Sequence, residues 1–166
     1  DQLRPKSTGE VKLHSCNPRD PPATHFNYLG HPQDLKELVE GYRAMQDILM
    51  QPVFDAYRGK RIVPAPEITT DTDLEAWVRG SATTDYHPCG TCRMGVDEMA
   101  VVDQEMRVRG VERLWVVDAS IMPNVLSGNL NAPTQMIAER AADYILGNSQ
   151  PLPQQARFHF AKGTES

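Results

Sequence analysis

The sequence predicts an α+β fold in which helices pack on one side of a partial antiparallel sheet. Three observations carry this. Short stretches near the start alternate apolar and polar residues, as half-buried strands do. Two longer stretches repeat apolar residues at helical spacing between capping and stop signals. A late apolar run, Leu114 to Val117, leads through a polar loop into a third helical pattern. At 166 residues the chain is long enough for one domain with its own core.

Taken in order, "GEVKLHS" (Gly9 to Ser15) sets Val11 and Leu13 between polar neighbours and predicts a short half-buried strand. "NPRDPPATHFNYLG" opens with turn residues and continues as a strand over Thr24–Leu29. In "DLKELVEGYRAMQDILM", Leu35, Leu38, Val39, Tyr42, Met45 and Leu49 share one helical face. Asp34 with Glu37 suits a capping box there, and Pro52 stops the helix. A second helix is expected over Asp73 to Arg79, with Thr72 as N-cap, Glu75 completing the box and Gly80 ending it.

Val101–Val102 and Met106–Val108 read as short strands, and Gly110 as a turn. Leu114 to Val117 reads as a buried strand that delivers Asp118 at its carboxyl end. The last helix should start with Pro133 in its first position. Met136, Ile137, Ala141 and Ile145 line its apolar face, and Gly147 caps it. Residues 1–147 therefore form the expected domain. Residues 148–166, where apolar periodicity is lost, form a tail expected to be poorly ordered or draped over the surface.

Composition narrows the function. The chain is 40% hydrophobic and 23% charged with a formal net charge of −5, as for a soluble globular protein. An acidic balance argues against nucleic-acid partners, which need a basic face. No apolar run reaches 18 residues, and "DQLRPKSTGE" lacks the features of a signal peptide. Three cysteines (Cys16, Cys89, Cys92) are too few for a disulfide scaffold and fit a reducing compartment. A cytoplasmic location is the expectation, with peripheral attachment to the inner face of a membrane as its variant.

The most informative stretch is "YHPCGTCRMG", Tyr86 to Gly95. Its C-x-x-C spacing raises thiol redox chemistry, but that site needs an apolar strand before it and a helix after it. Here "SATTDYHP" precedes and "RMGVDE" follows. Zinc would need a fourth ligand, and adjacent His87 and Cys89 would strain to share one ion. The cysteines read best as small loop-packing residues, and no metal site is expected. His87 is the candidate for chemistry. Pro88 biases it to extended backbone, and Gly90 and Gly95 allow the loop to fold tightly around it.

Three blocks in order, "HPCGTCRMG", "VVDQEMRVRGVERLWVVDASIMP" and "GNLNAPTQMIAERAADYI", resemble the carboxyl-terminal region of the glucose–methanol–choline (GMC) family of flavin oxidoreductases. "STGEVKLHSCNPRDPPATHFNYLGHPQDLKELVEG" is similar to the strand–loop–helix segment of that family's substrate-binding domain. The resemblance implies an FAD-dependent alcohol dehydrogenase, and the blocks are most similar to members that oxidise choline to betaine aldehyde. It implies that His87 takes the hydroxyl proton, or holds the alkoxide, as hydride passes from the α-carbon to flavin N5. Asn129 would orient or stabilise that alkoxide. Asp118 and Ala119 would approach the FAD diphosphate and ribityl chain. Asn129, Leu130, Asn131, Pro133 and Thr134 would lie at the flavin's pyrimidine edge, where a helix N-terminus favours negative charge. Tyr86 is the one residue near the motif that offers an aromatic face to choline's ammonium group.

One departure is an absence: no G-x-G occurs among the eleven glycines, so the family's amino-terminal dinucleotide fingerprint is missing. The chain is therefore expected to be a carboxyl-terminal fragment that lacks the Rossmann FAD domain and takes that domain as its partner. Alone it should bind FAD weakly and not turn over. A different GMC alcohol oxidase or dehydrogenase, and an inert binding module, are the competing readings. The resemblance leaves the electron acceptor open.

Overall fold

The computed structural model describes residues 2–152. Two strands and three helices follow in order: β1 (Glu10–Lys12), β2 (Ala23–His25), α1 (Pro32–Leu49), α2 (Asp71–Ser81) and α3 (Asn131–Leu146). β1 and β2 pair antiparallel, with Val11 opposite Thr24. Gly9 lets them close, because a Cβ there would lie 2.0 Å from the His25 carbonyl oxygen. The α+β expectation holds. The burial expected of β1 does not: Val11 and Leu13 are exposed, Leu13 at 85%. Among the described residues no further layer covers this two-stranded ribbon.

α1 begins two residues earlier than its sequence pattern implies. Pro32 sits in the first turn with φ already set for a helix, and His31 is the N-cap, its Nδ1 accepting from the Gln33 N–H at 3.1 Å. Asp34 is thereby released from the expected capping box. It is buried, 1% exposed, and its carboxylate accepts from the Lys6 and Ser7 N–H groups at 2.7 Å each. The Gln2 carboxamide at 3.0 Å and the Ser7 hydroxyl complete the set. Burial works to raise this carboxyl, but the hydrogen bonds together outweigh it and hold it below the ordinary aspartate range. The segment before β1 is thus clasped to α1.

α2 also differs at both ends. Its cap is Thr70 rather than Thr72, with the Asp73 N–H donating to Thr70 Oγ1 at 3.1 Å. The helix runs through Gly80 to Ser81, since an isolated glycine weakens a helix without stopping it. α1 and α2 bury Leu35, Val39, Leu74 and Val78 between them, flanked by Tyr42 and Trp77. Arg43 pins the pair by bonding Asp71 at 2.7 Å and the Thr69 carbonyl at 3.0 Å.

The strands expected beyond Gly95 are only single bridges: Val102 with Met94 and with Val108, and Arg107 with Trp115. Turns interrupt each pairing, and Met106, Gly110 and Arg113 all take positive φ there. Leu114–Val117 is no buried strand either; only Trp115 bridges, and Leu114 is exposed. These segments wrap a second core of Val102, Met106, Ile121 and Ala141, with Met94, Trp115 and Ile137 packed around it. α3 supplies Ala141 and Ile137. It starts at Asn131, so Pro133 is its third residue, and it ends at Gly147 in the left-handed region (φ 71) as its sequence predicts. The expected tail falls largely on residues 153–166, which lie outside the described residues. No helix among the described residues is long and apolar enough to cross a membrane.

Candidate functional site

The His87 loop is shaped from both sides. Before it, Tyr86 takes a positive φ of 59° while its N–H bonds Thr84 Oγ1 at 3.0 Å. After it, Pro88 biases His87 to extended backbone, and a turn closes from Gly90 O to the Arg93 N–H at 3.2 Å. Gly90 has φ 89°, and a Cβ there would sit 3.3 Å from the Met122 carbonyl oxygen. This position needs glycine on both counts. His87 itself is half-buried.

The loop then runs along the segment that carries Asp118. The Cys92 N–H donates to Ser120 O at 3.0 Å and the Met94 N–H to Ile121 O at 2.7 Å. Asp118 is exposed and caps a single 3-10 turn, Ala119–Ile121, by accepting from the Ser120 N–H at 2.8 Å. Ala119 closes that turn, its carbonyl accepting from the Met122 N–H at 3.2 Å. Ile121 enters the core that also holds Ala141 of α3. Backbone bonds and one core therefore join all three sequence blocks. None of these joining contacts is made by the His87 imidazole or the Asn129 carboxamide.

At the start of α3, Asn129 is exposed and Leu130 is buried. Leu130 O accepts from both the Thr134 hydroxyl (2.6 Å) and the Thr134 N–H (2.9 Å). Asn131 is the first helical residue rather than a cap, and its Oδ1 accepts from Gln135 Nε2 at 3.3 Å. Pro133 is half-buried within the first turn. No side chain caps this terminus and no acidic residue lies in its first turn. Pro133 has no N–H and the Thr134 N–H is taken by Leu130 O, so the Asn131 and Ala132 N–H groups are the ones left for an acceptor from outside the helix.

Burial pushes the Cys89 thiol up, opposite to the shift an attacking thiolate requires. All three cysteines are free, and Cys16 is exposed far along the chain. Among the described residues no group of three or more His, Cys, Asp or Glu side chains could hold a metal. Sequence reasoning missed Arg93, Asp97 and Arg109, which brace the turn after the motif. The i,i+4 spacing of Arg93 and Asp97 was the available signal.

A model of the family described as GMC oxidoreductase matches residues 5–138. The chain belongs to the GMC oxidoreductase family. The resemblance read from the three blocks is thereby borne out. This GMC chain is 50% identical over 161 residues to a protein named oxygen-dependent choline dehydrogenase from Klebsiella pneumoniae, covering 97% of this chain. It is 49% identical over 97% of its length to a protein of the same name from Pseudomonas fluorescens. The chain spans 29% and 28% of those relatives' length. Among solved structures it is similar to an FAD-dependent oxidoreductase from Chaetomium thermophilum, at TM-score 0.82 and 32% identity, covering 87% of this chain and 25% of that one. Pyridoxine 4-oxidase from Mesorbium loti gives 0.81 and 31%, covering 89% and 29%. The GMC match takes in His87, Asp118 and Asn129 and stops inside α3.

Proposed function

We propose that this chain is the carboxyl-terminal portion of an FAD-dependent alcohol dehydrogenase that oxidises choline to betaine aldehyde. The observation that carries the reading is the 50% identity, over 97% of the chain, to a relative named oxygen-dependent choline dehydrogenase. The half-buried His87, set on a loop held by backbone bonds, has the placement a general base needs. It takes the proton of the substrate hydroxyl. Asn129, which cannot act as a base, donates from its carboxamide to the resulting alkoxide. Tyr86, adjacent in sequence and 82% exposed, offers its ring face to the quaternary ammonium group.

Bound FAD would supply the acceptor for the hydride that leaves the carbinol carbon. This chain's contribution to holding it is the uncapped start of α3, residues Asn131 to Thr134 with Leu130, together with the Asp118–Ala119 turn. The chain spans 29% of the length of the Klebsiella pneumoniae relative, and the remaining contacts fall to residues outside the span it covers. A different alcohol is the second reading, favoured by the similarity to a structure named pyridoxine 4-oxidase.

The test uses the full-length flavoprotein that carries this segment, mixed anaerobically with choline or pyridoxine in a stopped-flow instrument. Choline should bleach the flavin faster than pyridoxine does. His87→Ala should slow that bleaching by about 10²–10⁴-fold. Equal rates for wild type and His87→Ala would remove His87 from its role, and faster bleaching by pyridoxine would replace choline as the substrate.

A further inference from the structure

We propose that Arg93, Asp97 and Arg109 form a clamp that positions His87, an inference that rests on reading His87 as the base. Arg93 makes a two-point ion pair with Asp97, Nη1 to Oδ2 at 2.9 Å and Nη2 to Oδ1 at 2.5 Å. The pair closes across the bare face of Gly95. A Cβ there would lie 3.0 Å from Arg93 Nη1, 3.0 Å from Asp97 Oδ2 and 3.1 Å from the Ala100 Cβ. Hydrogen bonding from the Arg93 guanidinium holds the Asp97 carboxyl well below the usual carboxylate range.

Arg109 holds the same turn from another direction. Its Nη2 donates to Gly95 O at 2.6 Å and its Nη1 to Asp97 O at 3.1 Å. The backbones are tied as well. Val101 N–H donates to Arg93 O, and Arg109 N–H to Val101 O, both at 3.0 Å. The turn from Arg93 to Asp97 is therefore held by two guanidinium groups.

That turn is continuous with the stretch whose Cys92 and Met94 N–H groups bond Ser120 and Ile121. Fixing residues 93–97 fixes the register of Gly90–Gly95 against Asp118–Met122. His87 lies three residues before Gly90 and six before Arg93, joined through Pro88, whose ring sets its φ. A shift of about 1 Å at a catalytic group costs on the order of 10²-fold in rate. Stability alone is a poor reason for the arrangement. Arg93 and Asp97 are 34% and 54% exposed, and exposed ion pairs contribute little. Their larger effect is on position.

The experiment uses the FAD-loaded full-length flavoprotein and two readouts. Arg109→Gln should make the amides of Cys92 and Met94 exchange at least about tenfold faster, while those of Leu74 and Val78 in α2 are unchanged. The same variant should lower the limiting rate of flavin reduction about tenfold, with half-saturating choline and FAD content within about twofold of wild type. Arg109→Lys, which keeps the charge but not the fork, should recover part of that loss. Asp97→Asn preserves shape, serves if Arg109→Gln does not fold, and should lower the rate about threefold. Unchanged Cys92 and Met94 exchange, or equal losses in the Gln and Lys variants, would overturn the clamp. If the wild type fails to reduce its flavin with choline or any other primary alcohol, the proposed function falls, and the exchange pattern still judges the clamp.

Discussion

The α1–α2 pair and the loops from His87 to Met122 each bury a small apolar core, but they hold it by different means. In the pair, two capped amphipathic helices present Leu35, Val39, Leu74 and Val78 to each other. Their backbone bonds are internal to each helix, so side-chain packing and the Arg43 bonds make the join. In the loops, one 3-10 turn is the only helical element before α3, and backbone groups find partners across the chain. Cys92 reaches Ser120, Met94 reaches Ile121 and Arg109 reaches Gly95. Irregular backbone is affordable only where every buried N–H and C=O is matched. That cost is characteristic of regions that place side chains for chemistry, which rigid helices aimed at a core do not do.

Equivalent core truncations in the two regions put this contrast to its largest test. Leu74→Ala and Ile121→Ala, both at residues 1% exposed, should each cost about 3 kcal/mol in chemical denaturation of the full-length enzyme. Measured well below both melting transitions, only Ile121→Ala should also slow flavin reduction. Equal slowing by both would mean that the two cores are not separable in function.

The Asp34 clasp gives an intermediate effect in the first region. Asp34→Ala leaves the Lys6 and Ser7 N–H groups without their acceptor and should cost about 2 kcal/mol. Because the folded-state pKa lies below the ordinary aspartate value, the clasp's contribution is present above that value. It is lost as pH falls through the folded pKa. Protection of the Lys6 and Ser7 amides, taken against their intrinsic exchange rate at each pH, should therefore fall on acidification below about pH 4 in the wild type. In Asp34→Asn that protection should already be low at neutral pH. Matching profiles would show that the carboxylate does not hold the segment.

Glycine substitutions are the smallest test, and here the two regions should respond with opposite sign. Gly80→Ala lies within α2 with nothing within 4 Å, and should stabilise by about 0.5–1 kcal/mol. Gly90→Ala meets both a positive φ and the Met122 carbonyl, and should destabilise by about 1–2 kcal/mol. Thermal midpoints of the two variants are the measurement.

Helix existence was legible because it depends on local periodicity, and α1, α2 and α3 lie where Leu35–Leu49, Leu74–Val78 and Ile137–Ile145 place them. Their starts were less so. His31 and Thr70 displaced Asp34 and Thr72 as caps because a cap is chosen by backbone geometry at one residue, and several polar residues compete for it. Leu114–Val117 misled because an apolar run has no period, and here it lines a core beside a turn without joining a sheet. Arg109 was invisible for a different reason. Its acceptors are carbonyl oxygens twelve and fourteen residues away, and a carbonyl leaves no trace in residue identity.

By itself the sequence determined that the described residues hold three α-helices, that His87 sits on a loop with glycines after it, and that Gly147 ends α3. These are local properties, set by a residue and its near neighbours. Only the tertiary structure decided that Asp34 binds the amino-terminal segment, that the expected strands shrink to single bridges, and that the His87 loop is laced to the Asp118 turn. Each of those depends on which distant backbone group arrives at hydrogen-bonding distance, and that is settled by how the chain packs as a whole.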